Sequence, residues 1–133
     1  MAVLIDTDLL VDLERGVGTT ALEEQLGEEE RAVSVITLSE LLQGSLRATG
    51  AKRARRRAFV EHLFAGLQAI PITEPVARVH AEIWADLASR GDAIGAHDLW
   101  IAATALAHGL GLATGNASEF SRVEGLRILA SPT

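Results

Sequence analysis

A short apolar run, Val3-Leu4-Ile5, stops at Asp6, and after Thr7 and Asp8 the leucines Leu9, Leu10 and Leu13 recur at helical spacing. The pattern reads as a buried strand, a tight turn and a helix capped by Thr7 or Asp8. An acid at the C-terminal end of a strand in an α/β sheet lies at the edge where such sheets bind ligands. Burying a carboxylate is costly unless something offsets its charge, and a bound cation would do so. What the rest of the chain must show is whether other acids arrive at the same edge.

It repeats the alternation that Asp6 opens. Gly16 and Gly18 break the first helix, residues 19–26 read as a short helix ended by Gly27, and residues 32–36 as a β-branched second strand. Thr37 with Glu40 three residues later matches a capping box for the next helix, which Gly50 ends. A basic run opens another helix with Phe59, Val60, Leu63, Phe64 and Leu67 on one stripe. Residues 68–72 form a third strand closed by prolines. Val76, His80, Ile83, Trp84 and Leu87 mark a long helix stopping at Gly91; residues 96–108 give an alanine-rich one ended by Gly109. Gly111-Leu112-Ala113-Thr114 is a fourth strand and residues 126–129 a fifth. Strands alternating with helices predict one α/β domain over residues 1–133, with a parallel sheet of about five strands joined by right-handed crossovers and covered on both faces.

Composition narrows the chemistry. There is no cysteine, so disulfides and thiolate metal sites are excluded, and any metal must be held by oxygen or by the four histidines. The same absence suits a reducing cytoplasm. No apolar run approaches ~20 residues, so no membrane span is expected, and no signal peptide is visible. The net charge of −6 is the wrong sign for a nucleic-acid binder taken whole. Its distribution changes that: Lys52, Arg53, Arg55, Arg56 and Arg57 crowd together, with Lys52/Arg56 and Arg53/Arg57 as adjacent i, i+4 ridges that can track a phosphate backbone or form a solvated face.

Three acids occupy comparable places. Asp6 closes the first strand, Glu40 lies in the first turn after the second, and Asp98 in the first turn after Gly95; Asn116 follows the fourth strand. Oxygen ligands converging from strand ends and helix starts suit a hard divalent cation. Helix N-termini alone would also favour Glu40 and Asp98, through the dipole and through capping, but they do not explain Asp6.

Four stretches, in order and covering nearly the whole chain, resemble the motifs of the PIN-domain family: Leu4-Ile5-Asp6-Thr7-Asp8-Leu9-Leu10, Thr37-Leu38-Ser39-Glu40-Leu41-Leu42-Gln43-Gly44, Ala96-His97-Asp98-Leu99-Trp100-Ile101-Ala102-Ala103-Thr104-Ala105-Leu106, and Thr114-Gly115-Asn116-Ala117-Ser118-Glu119-Phe120-Ser121-Arg122-Val123-Glu124-Gly125-Leu126. The last resembles the VapC toxin form. The resemblance implies a three-layer α/β/α fold and a Mg²⁺- or Mn²⁺-dependent ribonuclease site with Asp6, Glu40 and Asp98 as acidic ligands. Asn116 falls where many family members carry a fourth acid, which leaves one fewer charge at the metal; Glu119 could substitute, directly or through a water. Thr7, Ser39 and Thr114 suit supporting hydrogen bonds, or serve as caps and turn residues. The resemblance further implies an RNA substrate, met by Lys52, Arg53, Arg56 and Arg57 if that run is not merely solvated, together with a homodimer and a VapB-type antitoxin.

His97 adjoins Asp98 but points about 100° away on a helix, which favours a surface or interface role. Trp84 and Trp100 read as packing rather than base stacking, with Trp100 available to a dimer or antitoxin surface. Leu9, Leu10 and Leu13 cannot all point inward from a short helix, which suggests a groove for a partner helix. Ile5-Asp6-Thr7-Asp8 also resembles the first motif of haloacid dehalogenase-type phosphotransferases; that chemistry wants a lysine near the metal, and the only lysine is Lys52. An autonomous RNA-processing nuclease and a non-catalytic PIN scaffold are the remaining readings, the latter disfavoured because all three acids are present.

Overall fold

The computed structural model describes residues 2–130; Met1 and residues 131–133 of the expected domain lie outside the described residues. Five strands, β1 (Ala2–Ile5), β2 (Glu30–Ser34), β3 (Gln68–Ile70), β4 (Gly111–Thr114) and β5 (Ile128–Ala130), form one sheet in the order β3-β2-β1-β4-β5. All four pairings are parallel. Parallel neighbours need crossovers, and helices supply them: α1 (Thr7–Glu14) and α2 (Thr19–Leu26), α3 (Val35–Arg47) and α4 (Gly50–Gly66), α5 (Glu74–Ser89) and α6 (Ala96–Ala107), and the single turn α7 (Ala117–Phe120).

The period-2 alternation of strand side chains divides the core into two. Leu4, Ala32, Ile70 and Leu112 face one side, under Val76, Ile83 and Leu87 of α5 and Leu99, Ala102 and Ala103 of α6. Val3, Ile5, Val33 and Ala113 face the other, under Leu9 and Leu10 of α1, Leu22 and Leu26 of α2, Leu41 of α3 and Val60 of α4. This is the three-layer α/β/α arrangement with five parallel strands expected from the sequence. No helix among the described residues is long and apolar enough to cross a membrane.

Several local expectations are corrected. The cap of α1 is Asp6, whose Oδ1 accepts from the Thr7 backbone N–H at 2.8 Å, and not Thr7 or Asp8. Strand β2 ends at Ser34, two residues early, because the Ser34 hydroxyl caps α3 by accepting from Ile36 N–H at 3.0 Å. The β-branched Val35 and Ile36 therefore join the helix, and Thr37 and Glu40 form no capping box. Helix α3 stops at Arg47, so Gly50 opens α4 at positive φ rather than ending α3. Strand β3 is cut to three residues at Pro71, which has no N–H to donate. Strand β5 starts at Ile128, two residues late.

The three leucines of α1 are not buried alike. Leu9 and Leu10 are buried, and Leu13 packs against the same cluster. Helices α2 and α3 pack beside α1, and Leu9 and Leu13 line a small crevice with Val17 and Leu22.

Candidate active site

In the chain order, β1, β2 and β3 build outward on one side and β4 and β5 on the other. The sheet's topological switch point is therefore between β1 and β4, where the crossovers leave a crevice beyond the strand ends. Asp6 sits at that point. Its backbone N–H donates to Ala113 O at 2.9 Å, continuing the ladder one step past β1. Its side chain is 4% exposed. Oδ2 accepts from the Thr114 hydroxyl at 2.8 Å while Oδ1 caps α1. The Thr114 hydroxyl in turn accepts from Asn116 N–H at 2.9 Å, so β1 and β4 are tied by side chains as well as by the ladder.

The other acids come from helix starts around this crevice. Glu40 is in the second turn of α3; its Oε1 accepts from the Thr7 hydroxyl at 2.7 Å, and that hydroxyl also lies 3.0 Å from Thr37 Oγ1. Glu40 Oε2 lies 3.5 Å from His97 Nδ1. Asp98 is in the first turn of α6, opposite Glu119 of α7. Glu119 Oε1 accepts from Gly95 N–H at 2.8 Å, and its Oε2 accepts from Asn116 Nδ2 at 2.6 Å. A cleft of about 380 Å³ opens over Glu40, Gly95, Ala96, His97 and Asp98.

The electrostatics follow from burial and like charge. Desolvation first, then the Asp8 charge and, more weakly, Asp98, push the Asp6 carboxyl up to about 7, against the Thr114 and Thr7 hydrogen bonds. Asp98 is pushed up to about 6 by burial, then by Glu119 and Glu40. Glu119 goes the other way, held below its ordinary range by the Gly95 amide. The charged groups that weigh most on Asp6 and Asp98 are all acids. Carboxylates crowded in this way favour a cation or shared protons.

Among the described residues, no three carboxylate or imidazole groups are drawn together closely enough to hold one ion as they stand. The donor set nevertheless fits a hard divalent ion. All its groups are oxygens, and Asp8 Oδ1 is buried with no hydrogen-bond partner. Mg²⁺ is commonly held by one or two carboxylates with waters and phosphate oxygens completing the shell, so a closed cage of acids is not required.

The residues expected from the sequence divide in three. Asp6, Glu40, Asp98, Asn116, Glu119, Thr7 and Thr114 lie at this crevice, linked as above. Ser39 does not join them: it is exposed on α3, and Thr37, fully buried, takes the supporting place beside Thr7. The basic residues lie apart, on α4. Arg53 donates to Ala48 O (2.8 Å) and Leu46 O (2.6 Å), and Arg56 to Gly44 O (3.2 Å). Arg56 also lies 3.5 Å from Glu14, and Arg57 pairs with Glu61 at 2.9 Å. Two of the arginines thus satisfy carbonyls at the end of α3, a role that the charge pattern alone does not suggest. With Lys52, Arg56 borders a cleft of about 430 Å³.

Sequence reading misses Asp8 as a site residue. Its Oδ2 accepts from Gly115 N–H at 3.0 Å, and burial raises its carboxyl above the ordinary range. A Cβ on Gly115 would stand 2.8 Å from that oxygen, so the close approach needs glycine. The signal is the pairing of Asp6-x-Asp8 after one strand with Thr114-Gly115 after another.

Similarity to known proteins extends over almost the whole chain. A family model for the PIN domain matches residues 3–126. The chain is 36% identical to Ribonuclease VapC1 of Rickettsia felis, over 97% of this chain and 96% of that one. It superposes on DNA-bound VapBC from Salmonella typhimurium with a TM-score of 0.88 at 26% identity, covering 99% of each chain. VapBC-5 of Mycobacterium tuberculosis, a member of the VapBC family of toxin-antitoxin systems, gives 0.81 at 28% identity, covering 98% of this chain and 99% of that one. The chain belongs to the PIN-domain family, within its VapC branch.

Proposed function

We propose that this chain is the toxin of a VapBC-type toxin–antitoxin system, an endoribonuclease dependent on Mg²⁺ or Mn²⁺ and silenced by a VapB-type antitoxin. The observation that carries the reading is the set of acids at the β1–β4 switch point, with Asp6 pushed up to about 7 and Asp98 up to about 6. Similarity to proteins called ribonuclease VapC and to VapBC toxin–antitoxin structures supports it.

Asp6, Glu40 and Asp98 would hold the ion, with Asn116 and Glu119 beside them. A divalent ion there supplies a water of lowered pKa and polarises the phosphate it touches. The chain's own groups do the rest. Thr114 and the α1 N-terminus hold Asp6 in one orientation, and the Thr7 hydroxyl does the same for Glu40. Glu40 then binds or orients the attacking water, and Gly95 and Asn116 fix Glu119 next to Asp98. In-line attack on phosphorus leaves a 5′-phosphate and a 3′-hydroxyl, with no role for the 2′-hydroxyl as nucleophile. Lys52 and Arg57, with Arg53 and Arg56 where their carbonyl bonds leave donors free, meet the RNA backbone along α4. A cationic side chain of the antitoxin, laid over the acids, would silence them by pairing with the same charges. The reading includes a homodimer, as the family resemblance implies.

The direct test is cleavage of purified RNA by the isolated chain. Mg²⁺ or Mn²⁺ should be required, chelator should stop cutting, and Asp98→Asn should lower the rate by at least about 10²-fold while circular dichroism stays native. Undiminished cutting in chelator or by that variant rejects the site.

A further inference from the structure

Helices α5 and α6 pack against each other, and where residues 92–96 join them they leave a cavity of about 420 Å³. Its wall is aromatic. His80 lies flat on Trp100, ring centroids 3.5 Å apart and planes 18° off parallel, and Trp84 meets His80 edge-on at 5.9 Å. Leu87 and Leu99 also line it, and Asp92 is its one acidic residue. Packing accounts for His80, which is buried, and for Trp100 against it. It does not account for Trp84, which is 62% exposed, more than any other large apolar side chain among the described residues. Ala96 borders both this cavity and the acidic cleft, so the two adjoin across the first turn of α6.

An exposed indole beside a stacked aromatic pair offers what a nucleobase needs, a flat apolar face in a concave space with few polar groups. A carboxylate only accepts hydrogen bonds. Asp92, steadied by Arg90 Nη1 at 3.2 Å from its Oδ2, therefore favours a base edge with neighbouring N–H donors. Guanine has them in its N1–H and 2-amino group, whereas uracil has a single ring N–H. A nucleotide carries base and phosphate on one sugar, which matches an aromatic cavity sharing a wall with an acidic cleft better than a protein side chain does. We propose that this cavity is a guanine subsite, taking the base of a nucleotide next to the phosphate held at the Asp6, Glu40 and Asp98 edge. The proposal rests on the ribonuclease reading and deepens it.

Both of the chain's tryptophans line this cavity, so tryptophan emission reports on it alone, without metal and without catalysis. Guanosine titrated into the whole protein in chelator should quench that emission saturably, with uridine weaker by about tenfold. Trp84→Ala, at an exposed position, should weaken guanosine by about tenfold, and Asp92→Asn should remove the preference over uridine. Asp98→Asn should still bind guanosine while no longer cutting. RNA with guanosine beside the scissile bond should be cut faster than RNA with uridine there, and Asp92→Asn should level the two. Absence of saturable quenching, equal binding of the two nucleosides, or wild-type affinity in Trp84→Ala overturns the subsite. So does an emission that follows protein concentration and sedimentation instead of nucleoside, which would place a second copy in the cavity. Cleavage without guanosine binding removes the subsite and spares the ribonuclease reading; binding without cleavage supports the subsite and removes that reading.

Discussion

Asp6 serves two elements at once, ending a buried strand and capping a helix, and its hydrogen bonds from Thr7 and Thr114 only partly offset the cost of burying its charge beside Asp8. That has a measurable consequence. Its carboxyl titrates near 3.8 in the unfolded chain and near 7 in the folded one, so between those values the folded state binds more protons. Stability of the metal-free protein should therefore fall as pH rises from 4 to 7, by on the order of 2 kcal/mol after allowance for coupling to Asp8. Thermal melts in chelator should show it, Asp6→Asn should flatten the profile, and Mg²⁺ at pH 8 should restore the melting temperature. A flat wild-type profile would mean that the charge is compensated. Asp6 is legible in the sequence because an acid directly after an apolar strand has few structural uses, and Glu40 and Asp98 because they recur early in helices beside it in the motif order. Asp8 is not, since its partner is the Gly115 amide, 107 residues away, and backbone amides leave no mark on composition. Thr37 reads as a cap for a similar reason. Which hydroxyl starts α3 depends on where β2 stops, and that is set by pairing with β1 and β3 rather than by local preference.

Among the elements, α4 shows how one sequence pattern can carry two uses. Its basic residues read as a phosphate track, yet Arg53 and Arg56 reach back to carbonyls at the end of α3, where helices leave acceptors unsatisfied and cations are favoured. The uses separate by mutation. Arg53→Ala with Arg56→Ala should cost about 1 kcal/mol of stability at these partly solvated bonds, seen as a lower denaturation midpoint. Lys52→Ala with Arg57→Ala should leave the midpoint nearly unchanged and reduce the salt slope of RNA binding by about one unit for each phosphate no longer neutralised. If the second pair leaves the slope untouched, Lys52 and Arg57 make no phosphate contact. The helices are legible from their stripes, and their order already requires a parallel sheet. Strand ends are less so: Pro71 ends β3 through its missing N–H, whereas Ser34 ends β2 through a cap visible only once the helix exists. The leucines of α1 show what a stripe in one dimension leaves open: Leu9 and Leu10 are buried and Leu13 only partly so.

For the whole molecule, the switch point lies between a strand made of residues 2–5 and one made of residues 111–114. The proposed pairing with an antitoxin is tested in cells. Expression of the chain alone should arrest growth, Asp6→Ala should be harmless, and a co-expressed VapB-type partner should restore growth and co-purify. Harmless wild-type expression with no such partner would favour an autonomous RNA-processing nuclease. The Asp6–Thr114 hydrogen bond spans 108 residues, and Asp98 and Glu119 join the same crevice from the far end of the chain. A ribosome that has released β1, β2 and β3 has therefore released none of the Asp98, Thr114 or Glu119 groups. If these groups form the site, a growing polypeptide cannot assemble it until β4 has emerged and paired with β1.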